Sequence, residues 1–304
     1  MLVKLIKLIK LSSTPVSIIY PYPFLALLAF SLSGSFDIIL LIKAILLSFL
    51  FCAGINLWNH VNDIEEDKIA GKRNILIENP EMRRIVLTIA PLLYLISFLL
   101  SSLWVVDKKG VIAFVAVAFV TWIYSDKIIL GRKIRRWKEN YITEVLTYIV
   151  AIPSFTLLLW TLFAPVSLKS FAFSMVIMFF MLSGTFLKDI KDITGDKLAG
   201  LKTLGVVFSP ETLLKISLLL LSFYYTSISI FSLFGVFPLF CIFSTLSSVG
   251  LIYTLGYFFN NRWTITLESI KPIKIMIYSN LLSLTILIVA GFIRTPEALK
   301  FQLG

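Results

Sequence analysis

Asp37-Ile-Ile-Leu-Leu-Ile-Lys-Ala-Ile-Leu-Leu-Ser-Phe-Leu-Phe-Cys-Ala-Gly-Ile-Asn-Leu-Trp58 is apolar over the length of a bilayer core. A helix needs about twenty apolar residues to cross that core, and the run lacks the period-two alternation of a barrel strand. Comparable runs lie at approximately 15–35, 84–105, 109–126, 141–163, 167–187, 210–234, 237–259 and 273–293, making nine with the first. Inside lipid only helices and closed barrels satisfy their own backbone. The expected fold is therefore all-α: a polytopic membrane protein of nine transmembrane helices in one domain, 1–304, embedded in a lipid bilayer.

Composition agrees. The chain is 58% hydrophobic and 15% charged, where a soluble domain carries roughly 25% charged residues. With the N-terminus in the cytoplasm, about twenty of the Lys and Arg residues fall on the N-terminal tail and the loops after helices 2, 4, 6 and 8. The net charge of +11 thus belongs to one face, suited to anionic headgroups and a phosphorylated substrate. No ordered basic and aromatic pattern favours nucleic acid. Lys4, Lys7 and Lys10 suit a short basic helix on the membrane surface; a cleaved signal peptide is the competing reading. Cys52 and Cys241 lie in apolar runs without metal-ligand spacing and read as packed thiols.

The run ending at Trp58 leads into Asp63-Ile-Glu-Glu-Asp-Lys-Ile-Ala-Gly-Lys-Arg-Asn-Ile75, and a second run leads into Asp192-Ile-Thr-Gly-Asp-Lys-Leu-Ala-Gly-Leu-Lys-Thr-Leu204. Six of the thirteen positions are identical, and three more are Ile/Leu or Arg/Lys exchanges. The two lie 129 residues apart, after helices 2 and 6. Four helices separate them, so both face the same side in a four-plus-four parallel repeat with one helix added. The segments 59–83 and 188–209 are read as cytoplasmic active-site loops, partly helical, ending at the helix-start signals Asn79-Pro80-Glu81 and Ser209-Pro210-Glu211. The bland alternative is a pair of solvated loops.

Asn59, Asp63 and Asp67 are spaced by four and share one helix face. Asp189 and Asp192 share another, with Asp196 placed in the first loop turn. Seven of the 17 acidic residues fall in these two places, where they repel one another unless cations intervene. Oxygen donors without a His or Cys cluster suit magnesium. Two facing pairs can grip one diphosphate through bridging ions, two by this reading, while Lys68, Lys72, Arg73, Lys197 and Lys202 hold the remaining phosphate oxygens.

Asn59-x-x-x-Asp63-x-x-x-Asp67, with Lys188-Asp-Ile-Lys-Asp192-Ile-Thr-Gly-Asp196 running on to Gly200-Leu-Lys-Thr203-Leu, resembles the two signatures of the UbiA family of intramembrane prenyltransferases. The resemblance implies a bundle around a central cavity, where magnesium and the aspartates bind an isoprenyl diphosphate whose chain passes to a lipophilic acceptor. It matches Asn59, Asp63 and Asp67 to the first metal and diphosphate motif, Asp192 and Asp196 to the second, and Asp189 to a supporting place. His60 stands where many members have Asp, and Ser13-Thr14-Pro15 where relatives often have Arg-Pro.

Tyr124-Ser125 resembles a Tyr-Ser pair of the family. Tyr124 can stabilise an allylic cation or simply sit in the aromatic belt. Of Lys127, Arg132, Lys133, Arg135 and Arg136, one or two can reach a diphosphate, the rest serving topology. Glu144 can position the acceptor or take its proton, or can snorkel to the interface. An aromatic quinone precursor is the leading acceptor and a glycerol-phosphate ether lipid the next. The rival readings are a CDP-alcohol phosphotransferase, whose Asp-Gly-x-x-Ala-Arg opening is missing, and a transporter of cations or phosphorylated solutes.

Overall fold

The computed structural model describes residues 2–13, 22–71, 74–131, 133 and 135–293. The chain runs through α1 (Leu2–Ser12), α2 (Tyr22–Ser33), α3 (Ile38–Asn62), α4 (Ile64–Ile69), α5 (Ile75–Glu78), α6 (Pro80–Trp104), α7 (Lys109–Ser125), α8 (Tyr141–Thr161), α9 (Leu168–Leu198), α10 (Leu204–Val207), α11 (Pro210–Leu233), α12 (Val249–Asn260) and α13 (Ile270–Phe292). A 3₁₀ turn at Trp137–Glu139 precedes α8, and a ten-residue 3₁₀ stretch, Leu239–Ser248, leads into α12. Among the described residues there is no strand, only an isolated bridge between Asn140 and Lys202.

Every one of the nine apolar stretches carries helix, and seven of these helical segments are long and apolar enough to span a bilayer. The other two, α2 and α7, are shorter. For α2, part of the apolar stretch (15–21) lies outside the described residues; α7 is a complete 17-residue helix. Thr14 and Pro15 also lie outside the described residues.

Polar residues at the ends of the apolar runs start the helices by accepting hydrogen bonds from otherwise orphaned backbone donors. Asp37 accepts from Ile39 N at 2.8 Å to start α3, and Asn140 from Ile142 N at 2.9 Å to start α8. Asn79 and Ser209 cap α6 and α11, each with proline at the first position, where its missing N–H is no loss.

The long helices pack as neighbours: α3 along α6, α7 along α8, and α9 along α11. Lipid gives little hydrophobic drive between helices, so packing and short polar contacts hold them together. Ser183 of α9 meets Ser217 of α11 at 2.8 Å, Tyr224 of α11 meets Ser283 of α13 at 3.0 Å, and Tyr225 donates to Asn280 at 2.8 Å. Trp58 stacks on Trp122 with centroids 4.1 Å apart, fixing the end of α3 against the end of α7. The α1 helix packs on α3, and Asn56 reaches back to Ser12 O at 2.8 Å. Cys52 and Cys241 are both free.

One succession occurs twice. A long helix carrying the carboxylates is followed by a short cover and then by a proline-started long helix: α3–α4–α5–α6 and α9–α10–α11. The short helix α4 packs on α9, which brings the two carboxylate segments together at one end of the bundle.

Candidate active site

Asn59 lies in the last turn of α3, Asp63 at the junction with α4, and Asp67 within α4. Asp63 N donates to Asn59 O at 3.0 Å and Asp67 N to Asp63 O at 2.8 Å, so the four-residue register survives the junction. The second set differs from its expected form. Helix α9 continues without a break to Leu198, so Asp196 is helical and not in a loop turn, and Asp189, Asp192 and Asp196 ride one continuous helix.

Beyond the aspartates the two segments repeat one another's geometry at two further positions. Gly71 and Gly200, at matching positions, have φ of 65° and 70°. Each follows the last helical turn in the left-handed conformation that ends helices and that glycine adopts without strain. That accounts for the shared Ala-Gly dipeptide. Asn74 and Thr203, also at matching positions, then turn back by seven residues. Asn74 Nδ2 donates to Asp67 Oδ2 at 2.8 Å, and Thr203 Oγ1 donates to Asp196 Oδ2 at 2.8 Å.

Between the segments lies a cleft of about 60 Å³. Asp63, Glu66 and Asp67 line one side, Gly195 and Asp196 the other, and Lys138 contributes from the turn before α8.

The ion pairs described at this site come from the loop between α7 and α8. Lys68, Lys197 and Lys202 are exposed, while Lys72, Arg73 and Arg132 lie outside the described residues. Arg136 and Lys138 pair with the first carboxylate segment. Arg136 is 3% exposed; its guanidinium reaches Glu66 at 2.6 Å, Glu139 at 2.7 Å, and Asp63 and the Asn62 carbonyl at 3.4 Å. Lys138 pairs with Asp63, and Lys127 with Glu65 and, at 3.3 Å, Glu66.

Burial alone would raise the Glu66 carboxyl, but its own backbone N–H, Arg136 and Lys127 outweigh it and hold the group below the usual range. Burial likewise raises Glu139, and hydrogen bonds from Arg136 and Arg135 more than reverse it. Both stay ionised at neutral pH.

Asp126 folds the start of this basic loop. Its carboxylate accepts from Ile128, Ile129 and Leu130 N at 2.8–3.0 Å and from the Trp122 indole at 3.1 Å. Lys127 N then donates to Asn62 Oδ1 at 2.8 Å, and Ser125 Oγ to Asn59 Oδ1 at 2.5 Å. The side chain of Asn59 is therefore held by α7. Tyr124 does not line the cleft; its hydroxyl meets Tyr148 at 2.9 Å and Glu144 at 3.4 Å. His60 contributes its backbone carbonyl to Asn74 Nδ2 at 3.0 Å.

Lys138, Glu66, Asn74 and Asn62 were not singled out by the sequence reading. Only Asn74 carried a usable signal: its position matches that of Thr203, though the residue types differ.

Two buried carboxylate oxygens, Glu66 Oε2 and Asp189 Oδ2, have no hydrogen-bond partner among the described residues. Such an oxygen is costly unless a cation meets it. No three acidic, His or Cys side chains among the described residues converge to hold a metal by themselves. Magnesium does not require that, since it binds through one or two carboxylates with waters and substrate phosphates. The all-oxygen donor set and the orphaned oxygens fit such an ion.

Helix α10 reaches this site by close contact. A Cβ on Gly205 would lie 2.6 Å from the Asp189 carbonyl oxygen, a backbone atom that cannot turn aside. Gly205→Ala is expected to lift α10 from α9, costing about 1–3 kcal/mol and lowering activity. Melting temperature and turnover of the purified variant check this, and an unchanged pair of values would refute it.

A model of the UbiA prenyltransferase family matches residues 20–281. A protein of Archaeoglobus fulgidus (strain ATCC 49558), described only as uncharacterized, is 41% identical over 281 residues, covering 90% of this chain and 95% of its own. A solved structure concerned with digeranylgeranylglyceryl phosphate synthase in membranes superposes with a TM-score of 0.70 at 16% identity, covering 95% of this chain and 99% of that one. A UbiA homolog from Archaeoglobus fulgidus bound to GPP and Mg2+ superposes with a TM-score of 0.63 at 18% identity, covering 94% and 98%. The solved structures speak for the fold, and the family match covers both carboxylate segments and the helices between them: this chain belongs to the UbiA prenyltransferase family.

Proposed function

We propose that the protein transfers an isoprenyl group from an allylic isoprenyl diphosphate to a lipophilic acceptor, with magnesium, at the cytoplasmic face of a membrane. The observation that carries this is a cleft lined by Asp63, Glu66 and Asp67 from the first carboxylate segment, Asp196 from the second, and Lys138. The GPP and Mg2+ bound by the Archaeoglobus homolog support the donor class.

Asn59, Asp63, Asp67, Asp192 and Asp196 would hold magnesium, supported by Asp189. The ion would supply charge neutralisation at the diphosphate. Lys138, which lines the cleft, would meet diphosphate oxygens, and Lys68, Lys72, Arg73, Lys197 and Lys202 are assigned to the remaining phosphate oxygens from their places in the sequence. In the reaction the C1–O bond breaks with both electrons leaving on diphosphate. The acceptor's nucleophilic atom bonds to C1 and releases its proton. The protein provides no nucleophile. Its apolar interior keeps water from the allylic carbon, and the Tyr124 ring, its hydroxyl held by Tyr148 and Glu144, would stabilise the positive charge developing there. The acceptor is an aromatic quinone precursor or a glycerol-phosphate ether lipid. The exposed lysines suit the phosphate of the second, the acceptor class of the digeranylgeranylglyceryl phosphate synthase neighbour.

Purified protein in detergent, given allylic diphosphates and both acceptor classes, should yield a prenylated product by mass spectrometry. Turnover should stop when magnesium is withdrawn and continue when zinc is selectively chelated. Absence of both product and magnesium-dependent diphosphate binding would favour a transporter instead.

A further inference from the structure

Asn74 meets two needs with one side chain. Its Nδ2 holds Asp67 and its Oδ1 accepts from Leu76 N at 3.0 Å, capping α5. Thr203, at the matching position, has one hydroxyl, which donates to Asp196, and it makes no side-chain cap on α10. Thr203 and Leu204 are both buried, so the N–H of Leu204 needs a partner from elsewhere.

Glu144 supplies it. Its Oε2 accepts from Leu204 N at 3.1 Å and its Oε1 from the Tyr124 hydroxyl at 3.4 Å, with Tyr148 2.9 Å from that hydroxyl. Glu144 is 3% exposed in the first turn of α8, where a carboxylate is costly unless its oxygens are met. Two backbone bonds reinforce the link: Tyr141 N to Lys202 O at 2.8 Å and Lys202 N to Glu139 O at 3.1 Å.

We propose that Glu144 is a positioning residue for the second carboxylate set, doing together with Thr203 for Asp196 what Asn74 does alone for Asp67. The proposal rests on the diphosphate-binding reading of the cleft. Glu144 touches no reacting atom and acts through the 202–204 segment. Glutamine retains an oxygen for Leu204 N and an amide that can donate to Tyr124, so it should serve in this role. It would fail in a proton-accepting one.

The test is calorimetric binding of inorganic diphosphate with magnesium to the full-length protein in detergent, with kcat and KM for an allylic diphosphate alongside. Glu144→Ala and Thr203→Val should each weaken binding about ten-fold, as loss of a hydrogen bond to a charged group does. KM should rise more than kcat falls. The double variant should be no worse than Glu144→Ala, since both act along one path, and Glu144→Gln should stay close to wild type. Thr203→Val binding like wild type, Gln failing like Ala, or effects that multiply in the double variant would each overturn the proposal. If Glu144→Ala does not fold, Thr203→Val decides, because it removes one hydroxyl with little change of shape. A wild-type protein that binds diphosphate but transfers nothing would sink the prenyl-transfer reading, leaving the binding constants to judge Glu144. One that binds no magnesium diphosphate would remove both.

Discussion

Replacing Asp63 with alanine is expected to lower prenyl transfer by about a thousand-fold, the scale on which losing a fixed electrostatic partner of the developing charge is felt. The protein should remain folded. Asp63 makes no side-chain cap on α4, and the backbone hydrogen bonds through the junction do not involve its carboxylate. Arg136 would keep Glu66 and Glu139 as partners. What the substitution removes is a carboxylate that Lys138 contacts and that, with Asp67, faces Asp196 across the cleft. Asp192→Ala, in the other half, should have the same effect if the two segments act on one diphosphate. Turnover and melting temperature measured on the same preparation check the pair. Full activity in either variant would refute the metal assignment, and loss of activity matched by loss of folding would refute the separation of roles.

The membrane architecture could be read from the sequence because lipid leaves the backbone so few options. A long apolar run without alternation has to be a helix, and all nine stretches carry one. The starts of α6 and α11 were equally visible, since Asn79-Pro80 and Ser209-Pro210 state their capping chemistry locally. The repeated Ala-Gly was visible as an identity, and its cause, two matching left-handed glycines, is a local property of the backbone.

Tertiary partners were a different matter. Lys68, Lys197 and Lys202 were assigned to substrate phosphate because they follow the aspartates, and all three are exposed; the cations that pair with the carboxylates themselves were not visible in that way. The pairing cations arrive on a separate loop some seventy residues from Asp63 and Glu66, aimed by Asp126 and Asn62. Gly195 looked like a helix end, but α9 runs through it, packed by α4 and α10. Asn74 and Thr203 could be aligned but not recognised. They share a task through different functional groups, so residue identity carried no sign of it.

Arg136 should be the residue whose loss costs most in stability. Its side chain is 2% exposed and bonds three carboxylates and a carbonyl drawn from two separate segments. Removing one partner of a buried ion cluster leaves the others uncompensated, typically at about 3–5 kcal/mol. For Arg136→Met the groups that lose their buried partner are Glu66, left with Lys127 at 3.3 Å, and Glu139, left with the exposed Arg135 at 3.0 Å. Lysine should recover only part of the loss. A single ammonium cannot reproduce the fork in which Nε meets Glu139, Nη2 meets Glu66 and Nη1 meets Asp63, because the planar guanidinium fixes those directions in advance. The expected order of melting temperature in detergent is therefore wild type, then Arg136→Lys, then Arg136→Met. Asp63→Ala should lose less than Arg136→Met, since Arg136 keeps Glu66 and Glu139 while Lys138 loses its contact with Asp63. If Arg136→Lys melts like wild type, charge alone holds the two segments together. If Arg136→Met does as well, the cleft is held by its helices, and the basic loop is free to serve the substrate.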